Sequence, residues 1–434
     1  MLQTTKQQAE TQAARENTAP RAGKTGLVSL LLWRDIYRPG AKFGRFLSVL
    51  ALFGISYGFY KGIQDNYLSE IVNISRFERG IVEFFRETPG LLVVLILAWM
   101  YKFTESRIFK IGVALMAAGL VGLLLTGSQK VVVVLFMVLF SFGEHIIMPV
   151  RTSISLDLAK REKAGASLGI TSAISHIGNI AGYIIVTGLF IFFAALGFKR
   201  TDIVQFKAVF AVSAALMLAA ALIALAIKDT AIKGQRRRFY FAKKFTIFYM
   251  LEVFYGARKQ IFITFAPYVL IREYGADTSL ISLLLAICAI CGTLFSPLVG
   301  RLIDKLGYKI IMVTDTLILI IVCLLYGFSH RIFPVQIAFM VVCVNYVLDS
   351  IISLGSMASN IYVQSIASSQ EEVTATLSTG ISVNHVISIV IALMGGFIWE
   401  AVGIEVLFSL SAFLGVLNSI YAATIKVEKQ PVLQ

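Results

Sequence analysis

Residues 245–271 form an apolar segment long enough to cross a bilayer, and two cations, Arg258 and Lys259, lie at its middle. A charged side chain at the centre of a spanning helix costs about 2.5 to 3.5 kcal/mol on insertion scales. We therefore expect the pair to face an aqueous path or a binding site enclosed by other helices. Successive helix positions are about 100° apart, so the two side chains are expected to point in different directions and to have different roles.

By composition the chain is a membrane protein. It has 434 residues, of which 57% are hydrophobic and 15% are charged, whereas about 25% of residues are charged in soluble domains. A spanning helix needs roughly 20 apolar residues. No alternating β-barrel pattern is present, so the predicted fold class is an all-α membrane protein. Twelve segments have the required length, at approximately 43–68, 79–101, 108–127, 130–154, 166–195, 206–228, 245–271, 277–299, 308–328, 333–359, 374–399 and 404–425.

The net charge of +14 does not indicate a nucleic-acid partner, because the basic residues gather in alternate loops. The positive-inside rule places both termini and the central linker in the cytoplasm of a multi-pass protein of the cell (inner or plasma) membrane. The basic loop at 196–207 and the acidic loop at 364–373 depart from the rule without reversing this orientation. Residues 27–33 are too short to span and are predicted to form an interfacial helix.

The chain also contains a weak internal repeat. Residues 148–176 align with residues 357–385 without gaps, which makes His176 equivalent to His385. Paired six-helix halves are a recurrent transporter architecture, with the substrate site at the midplane between them. The predicted division is a cytoplasmic tail with an interfacial helix at 1–42, a six-helix bundle at 43–228, a basic linker at 229–244, a second six-helix bundle at 245–426 and a tail at 427–434.

Residues 300–310, GRLIDKLGYKI, resemble the loop signature of the major facilitator superfamily. The resemblance implies twelve transmembrane helices in two pseudo-symmetric six-helix bundles, with this loop on the cytoplasmic side. In that superfamily, the aspartate of the loop helps to lock the two halves in the outward-facing state. The equivalent loop of the first half, 101–110, lacks the glycine and the aspartate, and 169–188 lacks the proline typical of drug antiporters. The matching positions are Gly300, Asp304, Lys305, Gly307 and Lys309.

Ionisable residues are concentrated on the helices that this fold places around its cavity, and we expect a central site lined by helices 1, 4, 7 and 10. The predicted substrate ligands are Tyr60, Asp65, Arg151, Arg258 and Lys259. The predicted proton-coupling residues are Glu144, His145 and Asp349. The predicted gating residues are the five signature positions together with His176 and His385.

Each of these assignments has a purely structural alternative. The two central cations of helix 7 can be permanently paired with Asp349, Asp65 or Glu144. Glu144 can form a fixed ion pair with Arg151, two turns further along the same helix. The histidines of helices 5 and 11 can be hydrogen-bonding packing residues instead of a pH-sensitive gate.

Other polar groups receive less specific predictions. Glu83, Arg86 and Glu87 are expected at the outer membrane interface as solvated residues, with a part in an outer gate or cavity as the alternative. No spacing clusters the four histidines, so neither a metal site nor a cofactor is predicted. The pair Cys288 and Cys291 lies in an apolar helix and is interpreted as packing.

The sequence therefore predicts a monomeric secondary active transporter that works by alternating access. The expected partners are the lipid bilayer, protons and a small polar organic solute that is anionic or zwitterionic. A multidrug efflux antiporter is the alternative within transport, and the charged helices disfavour it. A membrane-embedded enzyme or a sensor without transport is the alternative from another class. No catalytic residue is predicted, because no arrangement of a nucleophile with a base is present.

Overall fold

The computed structural model describes residues 36–38, 43–228 and 240–425. The predicted interfacial helix, residues 229–239 of the linker and the C-terminal tail lie outside the described residues. The first long helix ends in a π-helical turn at Tyr67–Ile71, and a 3₁₀ turn at Ser353–Ser356 interrupts the tenth. The long helices are α1 Phe43–Ile71, α2 Arg76–Trp99, α3 Glu105–Leu125, α4 Lys130–Leu158, α5 Ala164–Ala195, α6 Ile203–Leu225, α7 Thr246–Tyr274, α8 Thr278–Leu306, α9 Tyr308–Ile332, α10 Val335–Ile366, α11 Gln370–Val402 and α12 Ile404–Ala423.

Hydropathy accounts for most of these helices. Ten of them are long and apolar enough to cross a membrane. The other two, α2 and α7, carry ionisable residues at their centres, and a bundle of neighbouring helices must enclose such residues. Helix α2 begins with a capping box, in which the Ser75 hydroxyl accepts from the backbone N–H of Glu78 and the Glu78 carboxylate accepts from the backbone N–H of Ser75. The predicted twelve-helix fold is confirmed.

The packing is pseudo-symmetric. In the first half, α1–α6, helix α1 packs on α5 and α6, and α3 packs on α4 and α6. In the second half, α7–α12, helix α7 packs on α11 and α12, and α9 packs on α10 and α12. The two halves meet where α2 packs along α11 and α8 packs along α5. Each contact within the first half recurs six helices later in the second half. The two contacts between the halves are equivalent to each other, as expected for two related bundles.

A close approach of glycines joins α2 to α11. The Cα atom of Gly396 lies 3.2 Å from the position that a Cβ atom on Gly80 would take, and the carbonyl oxygen of Ala392 lies 2.3 Å from it. No larger residue fits at Gly80 without moving one helix, and small residues at such crossings are typical of membrane helices.

One end of the molecule is sealed by contacts between the halves. At this sealed end α1 and α7 finish, and α2 and α8 begin. The guanidinium of Arg272 and the hydroxyl of Tyr268 each donate to the carbonyl of Ile74, both at 2.6 Å. Arg76 forms an ion pair with Glu273 at 2.5 Å.

The opposite end carries the linker between α6 and α7, and we call it the linker end. The polar contacts observed there between described residues join elements of the same half. Lys309 donates to the carbonyl of Ile425 at 2.7 Å, and Lys244 pairs with Glu372 at 2.7 Å. Inter-half contact is therefore strongest at the sealed end.

Candidate substrate site

A cavity of about 290 Å³ lies between the two halves. Helices α1, α2 and α4 of the first half and α7 and α11 of the second half form its wall. The expected participation of α1, α4 and α7 is therefore observed, whereas α2 and α11 line the cavity where α10 was expected. The lining residues are Tyr57, Lys61, Arg86, Glu87, Glu144, His145, Met148, Lys259, Gln260, Ile263, Asn384, His385 and Ser388.

A ladder of buried charges on α2 supports one side of this cavity. Arg79 bridges Asp65 of α1 at 3.0 Å and Glu83 at 2.9 Å. Glu83 accepts two hydrogen bonds from Arg86, at 2.5 and 3.0 Å, and Arg86 also contacts Glu87. Arg79 and Glu83 are each only 1% exposed. These charges are tolerated in the interior because each one is paired and hydrogen-bonded.

The expectation that the charges of α2 lie at the outer interface is wrong. Helix α11 packs over them, and Gln260 of α7 donates to Glu83 at 3.1 Å from the other half. The sequence contained a signal for this burial, because positions 79, 83 and 86–87 follow one another on a single helical face.

Three other ionisable residues face the cavity without an ion pair. Lys61 of α1, Glu144 of α4 and Lys259 of α7 all line it. Among the described residues, none of the three has an oppositely charged group within salt-bridge distance, in contrast to Arg79 and Arg86. The fixed pair of Glu144 with Arg151 that sequence left open is thus not formed.

Arg258 lies on a different side of α7 from Lys259. It is 3% exposed, and its Nη1 atom is 3.8 Å from the carboxylate of Asp349 in α10. The Tyr255 ring lies between the two neighbours, 5.0 Å from the Arg258 guanidinium and 5.9 Å from the Lys259 ammonium. One aromatic ring thus contacts a cation in the cavity and a cation behind it.

Two histidines from opposite halves meet beside the cavity. The rings of His145 in α4 and His385 in α11 lie 5.1 Å apart, and His385 Nδ1 is 2.9 Å from Glu87 Oε2. The inference that no histidines cluster is therefore wrong, because α4 and α11 are brought together only by the tertiary fold. His176, the repeat partner of His385, is exposed on α5.

The remaining predicted residues lie away from the cavity wall. Tyr60 is buried with its ring 4.4 Å from that of Phe140, and Asp65 is held by Arg79. Arg151 is half-buried, about two turns along α4 from Glu144. Substrate contact by these residues stays a prediction.

The signature loop lies at the linker end, between α8 and α9. Gly307 ends α8 with φ of +85°, a left-handed conformation that favours glycine. Lys309 holds the carbonyl of Ile425 after α12. Asp304 and Lys305 are exposed. The gating roles of these residues, of Gly300 and of the two histidines stay predictions.

Two six-helix halves with a polar cavity between them are a recurrent architecture of membrane transporters. The sequence profile of the Major Facilitator Superfamily matches residues 43–250 and again residues 248–433. The chain therefore belongs to this superfamily, as the signature loop predicted. It is a secondary transporter and not an enzyme, and it is a multi-pass membrane protein.

Solved structures with the same fold transport different solutes. The nucleoside transporter NupG superposes with a TM-score of 0.67 at 15% identity, covering 88% of this chain and 98% of that one. A peptide transporter POT in complex with sulfate gives 0.66 at 13% identity, covering 92% and 98%. A D-xylose-proton symporter gives 0.66 at 13% identity, covering 88% and 96%. No curated protein shows significant similarity to the chain.

Proposed function

We propose that the protein transports a small organic anion or zwitterion and that protons drive the transport. The observation that carries the proposal is the pair of unpaired lysines, Lys61 and Lys259, which face one cavity from opposite halves. Arg86 and Glu87 are already paired within the ladder of α2, so the lining residues without an ion pair are two lysines and one carboxylate, Glu144. A carboxylate or phosphate group of the substrate would complement the second lysine.

A substrate held by both lysines would connect the two halves. Lys61 belongs to α1 and Lys259 to α7, so an anion bound between them favours closure of the cavity around it. Glu144 lies in the same wall and would accept an ammonium group of a zwitterion. These charges argue against the multidrug antiporter, whose apolar substrates would have to desolvate them.

The proton site that we propose is Asp349. Its carboxylate compensates Arg258, and Arg258 shares the Tyr255 ring with Lys259. Protonation of Asp349 removes the only carboxylate within salt-bridge distance of Arg258 among the described residues, so this buried cation loses part of its compensation. Loading of a proton on α10 is thereby linked to the segment of α7 that binds the substrate. Proton coupling by Glu144 and His145 stays a prediction from sequence.

The positive-inside rule predicts that the linker and both termini lie on the cytoplasmic side of the cell membrane. In this orientation the sealed end, which is opposite the linker, faces outward. The cavity then opens inward, and the half-exposed Met148, one turn from Glu144 toward the linker end, supports this direction (48% exposed). We accordingly propose that the structure represents an inward-facing state of a protein that works as a monomer.

A thermal-shift screen of the purified protein against acidic, neutral and basic metabolites tests the proposal. We expect the stabilising compounds to carry a carboxylate or a phosphate group. Lys61→Ala and Lys259→Ala should each weaken their binding at least tenfold, because a hydrogen bond to a charged group contributes about 1.5 to 3 kcal/mol. Lys102→Ala, at an exposed position outside the cavity, is the matched control.

The screen also tests the sequence-based prediction for Arg258. If Arg258→Ala weakens binding as strongly as Lys259→Ala, both cations act on the substrate. Stabilisation by neutral or cationic compounds alone, or equal anion binding by Lys259→Ala and wild type, would refute the proposed substrate class.

A further inference from the structure

Three metal-ligating side chains converge at the boundary between the halves. One ligand atom each of Glu87, His145 and His385 lies within 4.8 Å of the others. Glu87 and His145 are buried, and all three residues line the central cavity. Two imidazoles and one carboxylate form a ligand set typical of zinc and related divalent transition metals.

The closest pair of ligand atoms, His385 Nδ1 and Glu87 Oε2, is 2.9 Å apart, which is the length of a hydrogen bond. Ligand atoms bound to one Zn²⁺ at about 2.0 to 2.2 Å in its tetrahedral geometry lie about 3.4 Å apart. A metal ion would therefore replace the proton between the two atoms and move them apart by about 0.5 Å. His385 would then carry its own proton on Nε2.

The hydrogen bonding of His145 leaves one of its ring nitrogens free for a metal ion. Its Nδ1 atom is 2.8 Å from the carbonyl oxygen of Ser141, which can only accept, so Nδ1 carries the proton and Nε2 is a bare lone pair. A backbone carbonyl that fixes the tautomer in this way is the usual support of a metal-binding histidine. Ser141 also donates to the carbonyl of Arg86 at 2.6 Å, which ties α4 to α2.

Gly90 provides the space beside the imidazoles. A Cβ atom at this position of α2 would lie 2.7 Å from His145 Nε2 and 2.8 Å from His385 Cε1. Any larger residue would displace the rings from each other. Gly90 therefore lets both rings approach Glu87, one turn earlier on the same helix.

We propose that Glu87, His145 and His385 bind one divalent transition-metal ion, for which Zn²⁺ is the reference. The three ligands come from α2 and α4 of the first half and from α11 of the second, so the bound ion joins the halves. Its remaining coordination positions face the cavity, where water or an anionic group can complete them. Arg86 contacts the second oxygen of Glu87 and leaves Oε2 for the metal.

Calorimetric titration of Zn²⁺ into chelator-treated, purified full-length protein tests this site. Wild type should bind one equivalent, and His145→Ala and His385→Ala should each bind at least tenfold more weakly. His176→Ala is the matched control, since His176 is exposed on α5 and is equivalent to His385 in the repeat. It should bind as wild type does.

Gly90→Ala keeps all three ligand side chains but displaces the two rings, so it should weaken Zn²⁺ binding as well. This variant therefore tests the arrangement of the ligands without removing any of them. Melting temperatures without metal identify any variant that fails to fold. No saturable binding by wild type, or equal binding by wild type and both histidine variants, would overturn the proposal. The titration involves no transport substrate, so its outcome is independent of the proposed anion.

Discussion

Arg258 and Asp349 approach to 3.8 Å behind the central cavity, while Lys259, the next residue in the chain, lines the cavity itself. The Tyr255 ring contacts both cations. A proton that neutralises Asp349 changes the charge on one side of this ring, and an anion at Lys259 changes it on the other. The two events can therefore influence each other across one turn of α7.

Asp349→Asn is expected to abolish uptake driven by a pH gradient while leaving exchange of substrate across the membrane intact. The amide cannot take up or release a proton, so no proton free energy can be transferred to the substrate. The measurement is accumulation in proteoliposomes with and without an imposed pH gradient.

Glu400→Gln is the control for this experiment, because Glu400 is an exposed carboxylate at the far end of α11. It should accumulate substrate like wild type. If Asp349→Asn still concentrates substrate in response to the gradient, Asp349 is not the coupling residue.

Removal of Glu83 should destabilise the protein strongly. Glu83→Gln leaves Arg79 and Arg86 buried with one carboxylate fewer, and loss of one member of a buried ion pair costs about 3 to 5 kcal/mol. Lys130→Ala breaks the exposed pair with Glu78, which is worth about 0 to 1 kcal/mol. The free energy of unfolding, measured in detergent–SDS mixtures, should fall far more in Glu83→Gln than in Lys130→Ala. An equal decrease in both variants would refute the structural role of the ladder.

Gly80→Ala is expected to open the sealed end. The added methyl group would lie 2.3 Å from the Ala392 carbonyl, so α2 and α11 must separate. Spin labels at Ser128 and Val335, exposed positions of opposite halves near this end, should report a longer distance in a background without the four native cysteines. Gly188→Ala has open space around it and should leave the distance distribution unchanged. An unchanged distribution in Gly80→Ala would contradict the close-packed seal.

The helices could be predicted from sequence because each one is a local property. The search for apolar segments of spanning length located all twelve, including α7 with its central cations, and the helical repeat separated Arg258 from Lys259. The ends differ by up to seven residues, as at the end of α8. Helix α2 starts at Arg76, whereas the apolar run begins near 79, because the Ser75 capping box extends the helix. The loop signature indicated the superfamily to which the chain belongs.

The polar core of the site could not be predicted, because it depends on which helices meet. Nothing in the local spacing of His145 or His385 indicates that α4 and α11 bring them together. The same holds for Gln260, whose partner Glu83 belongs to the other half. The shared face of Arg79, Glu83 and Arg86 was visible in the sequence, but only the packing of α11 decides between membrane interface and interior.

Uptake of a labelled organic anion into proteoliposomes tests the central claim most directly. The substrate would be the compound that stabilises the purified protein most strongly, measured with wild type, Lys259→Ala and the control Lys102→Ala. We predict saturable uptake by wild type and Lys102→Ala, and at least a tenfold lower rate at subsaturating substrate for Lys259→Ala. Uptake by Lys259→Ala at the wild-type rate and affinity would contradict an anion site at the boundary between the two halves.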